Sequence, residues 1–466
     1  MTLPAPQPAV GLSRETLRRG GLTYAATQYL GIALGFIGST LLVRLARPQD
    51  VASYFLLLQA VSAVGLLMQL GLGTAALRFA PVSRGEGGDA ATALLRRRLF
   101  RIQITLWVLI VPPLALAWPW IAHRLDAPEL AGATPFLVAA ALLASLGHLV
   151  DNYLRAFRMY GTSALLNHLT PRALLLGGFA ALWVSVPRDI PWEVLISLYL
   201  AAHVAASLGY ALALRRTTAA ETSEPRAARM PPDIRTILSA TTAMGLRSAA
   251  SILFVSSSLW VLAWARPHEE VAIYGIAIRV LQVMAAIPGV ANFLIPQEFA
   301  VLYADGRRDE MERLARTAST TVAMISAVSL LGLLLLGRPV IRFAFGETYL
   351  ASWGVLLVLA IGSFWDTASG SAGYALQMTG HHNRLLALTA GAAALNLALS
   401  LALVHRWGGY GVALATTTTL IALNVAMVRS ARRLVGVRTF VYLEPARWRE
   451  ILRMAVERRA APKEGS

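Results

Sequence analysis

Three arginines stand inside apolar segments of this chain: Arg172, Arg247 and Arg279. A guanidinium at the centre of a membrane helix costs about 2.5–3.5 kcal/mol on insertion-derived scales. Three together cost on the order of 8–10 kcal/mol unless water, a counter-ion or a ligand meets them. The chemistry they offer is anion recognition, because a guanidinium grips phosphate through charge-assisted hydrogen bonds. Asp151 and Asp366 lie in similar segments and could be counter-ions or carry a coupling ion or proton. Three cations against two anions leave a positive surplus. Arg247, Ser251 and Ser258 are spaced to share one helix face, and Arg279, Gln282, Gly289 and Asn292 form a second polar stripe. One-sided polar stripes on apolar helices suit the wall of a hydrated cavity. Arg247, Arg279, Arg172, Gln282 and Ser251 are thus the candidate binding residues, with Asp366 and Asp151 the candidate coupling or counter-ion groups.

The elements that must position them are membrane helices. The 466 residues are 56% hydrophobic and only 14% charged, with a mean hydropathy of +0.57; a soluble domain carries about 25% charged residues. Apolar stretches long enough to cross a ~30 Å hydrocarbon core fall at 20–43, 51–77, 100–122, 134–154, 162–186, 192–214, 237–264, 271–296, 317–337, 350–377, 385–405 and 409–429. Pro48, Gly85-Glu86-Gly87-Gly88, Pro187, Pro267 and Gly408-Gly409 are the turn signals between them. Arg247 falls ~15 Å into the seventh span and Arg279 ~12 Å into the eighth, at 1.5 Å per residue. Antiparallel neighbours would bring both towards the midplane.

Basic residues are few at the odd-to-even junctions, with Arg44, Arg47, Arg124, Arg188, Arg266, Arg338, Arg342 and Arg406. They crowd the opposite side: Arg14, Arg18 and Arg19, the run Arg96-Arg97-Arg98, Arg215-Arg216, Arg307-Arg308 and the arginine-rich tail. The positive-inside rule then places both termini in the cytoplasm. The first apolar stretch is too long for a cleaved signal peptide and reads as a permanent span.

The chain also repeats itself. Ala46-Arg47-Pro48 with Val51-Ala52-Ser53-Tyr54 returns as Ala265-Arg266-Pro267 with Val271-Ala272-Ile273-Tyr274, and Met159-Tyr160-Gly161 returns as Met378-Thr379-Gly380; 46 to 265 and 159 to 378 are both separations of 219. Duplicated membrane halves are the architecture of transporters, and six spans per half give parallel repeats about an axis normal to the membrane. The expected organisation is all-α: a six-helix lobe over 1–214, a linker over 215–236, a second six-helix lobe over 237–430 and a basic tail over 431–466, with the lobes around a central cavity. Arg307 to Arg316 and residues 445–459 read as amphipathic surface helices that rest on anionic membrane lipids.

Several classes are excluded. With no cysteine there is no thiolate metal site or disulfide. No phosphate-cradling loop with lysine indicates an ATPase, no Asp-x-Asp pair marks a metal-dependent glycosyltransferase, and the loops on the arginine-poor side leave no room for a catalytic domain. The expectation is no enzyme activity and no cofactor. The net charge of +17 lies at alternate helix junctions, so nucleic acid is not an expected partner. His148, His168 and His203 have no metal spacing, and His381-His382 reads as a turn. Pro288 and Pro296 would let the eighth span bend, as a gate or as a fixed kink.

Three further segments carry a family resemblance: Leu42-Val43-Arg44-Leu45-Ala46-Arg47-Pro48 through Tyr54 to Leu70-Gly71-Leu72-Gly73-Thr74-Ala75; Tyr274-Gly275-Ile276-Ala277-Ile278-Arg279 with Ile287-Pro288 and Pro296; and Phe345-Gly346-Glu347-Thr348-Tyr349-Leu350-Ala351. Over nearly its full length the chain resembles bacterial polysaccharide and lipid-linked oligosaccharide flippases, the O-antigen (Wzx-like) branch of the multidrug/oligosaccharidyl-lipid/polysaccharide exporter superfamily. The resemblance implies alternating access by two lobes in the inner membrane. It also implies an undecaprenyl-pyrophosphate-linked glycan as substrate, cationic cavity residues that include Arg279 by position, and a role in lipopolysaccharide synthesis. A polysaccharide polymerase or glycosyltransferases of the same pathway would be its partners. The chain departs from the fourteen-span subgroup that holds the peptidoglycan-precursor flippases. A multidrug or organic-cation antiporter of the same superfamily is the alternative, and it would want an acidic cavity where this chain has arginines.

Overall fold

A computed structural model describes residues 14–69, 71–157, 159–185, 190–219, 234–444 and 446–449, and these are helical nearly throughout. The first half runs α1 (Arg14–Leu45), α2 (Pro48–Leu67), α3 (Leu72–Arg124), α4 (Pro128–Gly132), α5 (Thr134–Ala156), α6 (Tyr160–Ala164), a π-helical turn (Leu165–Leu169), α7 (Thr170–Ser185) and α8 (Trp192–Ala219). The second half runs α9 (Ile234–Ala265), α10 (His268–Ala304), α11 (Arg308–Phe345), a 3-10 turn (Glu347–Tyr349), α12 (Ser352–Ser369), α13 (Ala372–Met378) and α14 (His382–Leu434). Among the described residues eight helices are long and apolar enough to cross a membrane, and α12 with α13, bent by 46°, makes a ninth if the pair is one span. α14 holds two of the expected spans, separated where Gly408 leaves helical geometry at φ 52°, ψ −133°.

The repeat is matched by the helix boundaries. α1 ends at Leu45 and α9 at Ala265; α3 ends at Arg124 and α11 at Phe345; α5 begins at Thr134 and α12 at Ser352. Those pairs are separated by 220, 221 and 218 residues. Both Arg-Pro junctions turn the chain in the same way, with Arg47 at φ −70°, ψ 154° before α2 and Pro267 at φ −56°, ψ 151° before α10. A proline at or just before the first helical turn loses no hydrogen bond, because that N–H has no partner inside the helix.

Some boundaries differ from the expected ones. The second span stops at Leu67, since Gly71 takes a left-handed φ of 80° and the turn from Met68 reverses direction. The Gln103 side chain donates to the freed Met68 carbonyl in a buried contact of 3.0 Å. The run Gly85-Glu86-Gly87-Gly88, expected as a turn, is helical inside α3, because the Ala-, Leu- and Arg-rich sequence on both sides outweighs its glycines. Arg307 to Arg316 is no separate surface helix. It forms the lead-in and first turns of α11, where Asp309 and Glu310 sit favourably at the positive end of the helix dipole. Most of the expected linker (220–233) and of the amphipathic tail (450–466) lie outside the described residues.

Packing divides the molecule by depth. Call the end that carries the α1 start and the α14 finish the basic end, and the opposite one the far end. At the far end a single apolar cluster joins both halves, from Leu45, Val51, Tyr54, Trp118 and Leu130 to Leu262, Val271, Phe345, Val355 and Val412. Cross-half contacts sit there: the Arg44 guanidinium donates to the Phe343 carbonyl at 2.5 Å, and His268 meets the Leu125 carbonyl at 3.2 Å. Phe36 and Trp118 add edge-on ring pairs with Phe345 and Trp260. Towards the basic end the clusters separate by half, one around Phe299, Met311 and Leu376, others around Leu95, Tyr153 and Tyr210, with Ile237 the one crossing residue among the described ones. Among the described residues, apolar packing between the two halves is thus concentrated at the far end.

The tail after α14 is not free. Val435, Val437, Thr439 and Val441 alternate buried with outward-facing neighbours, the period of an extended strand. This strap crosses the basic end of the second lobe. Thr439 accepts from Ser319 and donates to the Ser369 carbonyl, Val441 N–H donates to the Ala368 carbonyl, and Tyr442 stacks under the Arg316 guanidinium at 4.0 Å.

Candidate functional site

Arg279 lies at the seam. It stands on α10, which packs against α1 and α2 of the other lobe, and its side chain is partly exposed. The guanidinium carbon sits 5.2 Å from the centre of the Phe55 ring, and Nη1 donates to Gln282 Oε1 at 3.3 Å. Phe55 is 4% exposed and also packs on the α10 backbone one turn earlier: a Cβ on Gly275 would fall 2.2 Å from the Phe55 ring. Only a residue without a side chain admits that approach. Tyr54 and Tyr199 provide the remaining polar surroundings of the arginine. Their rings meet edge-on at 6.3 Å, and His203 stacks on Tyr199 at 4.0 Å. Among the described residues no carboxylate pairs with Arg279. A cation over a ring in a desolvated setting is stabilised by about 2 kcal/mol, which only partly offsets the cost of placing the charge there.

Arg247 and Asp366 share a different place. A cavity of about 260 Å³ inside the second lobe is lined by Arg247 of α9, Ser319 of α11, Asp366 and Thr367 of α12, Tyr374 and Gln377 of α13 and Asn424 of α14. Asn424 Nδ2 donates to Asp366 Oδ1 at 2.9 Å. The buried Arg247 Nε has no hydrogen-bond partner, and no ion pair joins Arg247 to Asp366 among the described residues. The wall exists because Gly370, at φ 70°, breaks α12 from α13; a Cβ there would strike Ser319 and the Thr439 carbonyl of the strap. Ser251 is half-buried one turn along α9, outside the lining of this cavity.

The first lobe uses its charges internally. Asp151, 1% exposed, pairs with Arg155 at 3.4 Å and accepts from Ser163 at 2.6 Å and Asn167 at 3.4 Å. It is buried in this network, not at the interface where its place near a span end would put it. Arg172 donates to the His168 carbonyl at 2.9 Å, immediately after the π-helical turn. Pro171 lacks an N–H, so the turn before it widens and leaves carbonyls open to such a side chain. The Arg172 guanidinium is seated against Gly31 of α1, where a Cβ would come within 2.7 Å.

The expected polar stripes therefore separate in space. Gln282 is exposed beside Arg279 as expected. The side chains of Gly289, Asn292, Pro288 and Pro296 lie outside the described residues, although α10 is helical through all four positions. Ser258 leaves the Arg247 stripe for an interior network: its hydroxyl bonds Thr416 at 2.8 Å and accepts from Asn396 at 3.1 Å. Sequence reasoning missed Asn396, Asn424 and Phe55. The two asparagines carried a signal, being amides inside apolar segments; Phe55 carried none, because an aromatic in a membrane helix looks the same facing lipid or a guanidinium.

Residues 17–296 match the family model described as polysaccharide biosynthesis protein. No curated protein matches in sequence. Among solved structures the chain is similar to the lipid II flippase MurJ in an inward closed conformation, at 12% identity and a TM-score of 0.69, over 92% of this chain and 90% of that one. It is similar to an inward-facing multidrug resistance MATE family transporter of the MOP superfamily, at 15% identity and 0.68, covering 92% and 96%. A MOP superfamily transporter from Pyrococcus furiosus, whose binding-pocket polarity is described as reversed, aligns at 16% identity and 0.67, covering 91% and 99%. At these identities the likeness is one of fold, shared with proteins described as a flippase and as transporters.

Proposed function

The chain belongs to the polysaccharide biosynthesis protein family, and from that premise we propose that it is an inner-membrane flippase. It carries an undecaprenyl-pyrophosphate-linked glycan, such as an O-antigen precursor, from the cytoplasmic to the periplasmic leaflet. The observation that carries this reading is Arg279: a guanidinium at the seam between lobes, with Gln282 beside it and no carboxylate to neutralise it among the described residues. An uncompensated cation there suits a pyrophosphate and repels an organic cation. The head group and sugars would shelter between the two lobes beside Arg279, while the prenyl chain stays in lipid. The basic end then faces the cytoplasm, by the positive-inside distribution of arginine. Domains of 1–214 and 237–430 rock about the joined far end, and Asp366 beside Arg247 is the candidate for coupling to an ion or proton.

The test is replacement of Arg279 by alanine, and separately by lysine, in cells that depend on the chain for surface glycan. Arg279→Ala lowers export at least ~100-fold, since one buried charge-assisted contact to phosphate contributes about 3 kcal/mol. Arg279→Lys retains part of it, and undecaprenyl-linked glycan accumulates on the cytoplasmic side. Normal surface glycan with Arg279→Ala present in the membrane would sink the reading. An organic-cation exporter would instead lose drug resistance on Asp366→Asn and keep its glycan.

A further inference from the structure

The geometry points to a latch between the lobes that anion binding releases: Phe55 of α2 held on the far side of the seam by Arg279 and Gly275 of α10. The inference rests on the proposed function only for the identity of the anion. Phe55 belongs to the first lobe and is 4% exposed, with its ring on Gly275 at a separation no Cβ would allow and the Arg279 guanidinium 5.2 Å from its centre. Gly275 and Arg279 are one turn apart on α10, so the ring bridges two successive positions of the opposite lobe. Phe55 belongs, with Tyr54 and Tyr274, to the apolar cluster that the two halves share at the far end.

The attraction between guanidinium and ring is that of a charge for a quadrupole. A phosphate that pairs with Arg279 neutralises the charge that the ring face sees and weakens the hold on Phe55. Anion binding and latch closure then compete for one cation. A ligand shifts a conformational equilibrium only by its differential affinity for the two states. The differential arises here because Arg279 is engaged with Phe55 when the far end is closed and free when it opens. Linkage is reciprocal, so opening the far end raises affinity for the anion.

The experiment measures far-end separation by electron spin resonance in lipid nanodiscs. The chain has no cysteine, so spin labels enter cleanly at Arg124→Cys and Arg406→Cys, two exposed far-end positions in opposite lobes. Undecaprenyl pyrophosphate increases the population of the longer distance about five-fold or more, the lower range of an allosteric coupling. Phe55→Leu gives a comparable increase with no ligand and a diminished response to it, whereas Phe55→Tyr, which keeps the six-membered ring and its face, behaves as the parent. Gly275→Ala displaces the ring and reproduces Phe55→Leu by a second route. A shift with inorganic pyrophosphate but none with the lipid-linked form keeps the latch and removes the lipid-linked substrate. Phe55→Leu and Gly275→Ala distributions that match the parent, with an unchanged anion response, overturn the latch.

Discussion

Asp151 on α5 and Asp366 on α12 lie one turn apart in the repeat, since position 366 corresponds to 147 in the first half, yet their surroundings are opposite. Asp151 is buried and met by Arg155, Ser163 and Asn167. Among the described residues Asp366 has one donor, Asn424, and opens on a polar cavity that also holds an arginine whose Nε has no hydrogen-bond partner. The first lobe satisfies its intramembrane charges within itself, and Arg172 seated on Gly31 belongs to the same pattern. The seam and the second lobe leave theirs available. Duplication supplied two equivalent frames, and substitution made one a rigid support and the other adaptable. A carrier needs both, because a lobe moves as a body only when its interior is satisfied.

That comparison can be broken at three points. The largest effect belongs to Asp151→Ala, which removes the ionic partner of Arg155 inside the first lobe. Removing one partner of a buried pair costs about 3–5 kcal/mol, so the protein unfolds earlier in detergent and its level in membranes falls. Asp366→Ala lowers stability far less and shows its effect in transport. If both aspartates give equal losses of stability, the contrast between lobes is wrong. Next comes Gly31→Ala, which drives a methyl against the His168 carbonyl and Arg172; overpacking of this kind costs roughly 1–3 kcal/mol and is read by thermal unfolding. The same change at Gly177, around which a Cβ meets nothing within 4 Å, is close to neutral. The smallest effect is the coupling of Arg247 with Asp366. A double-mutant cycle with Arg247→Ala and Asp366→Ala, read in export rates, gives an interaction of about 1 kcal/mol if the pair works through their shared cavity. Additivity would separate their roles.

The membrane class, the duplicated halves and the Arg-Pro junctions were readable from the chain, because hydrocarbon demands ~20 apolar residues per helix and proline fixes the backbone locally. The three arginines were also readable as costly positions. Their partners were not. Arg172 became a wedge against Gly31 through a π-helical turn, and Arg247 and Arg279, expected on one wall, face a second-lobe cavity and the inter-lobe seam respectively. Gly85 to Gly88 misled because glycine signals a turn only when its neighbours do not carry the helix through.

The residues alone determined that charge would have to be accommodated within the membrane, since the energy of a guanidinium in hydrocarbon depends on the residue and its depth. Only the tertiary structure decided how each charge is met. Helix rotation, glycine notches and the bend at Gly370 set which side chains share a cavity, and these arise from contacts between segments far apart in the chain. Whether a lobe closes over its ions or leaves them open is a property of packing, and no local pattern encodes it.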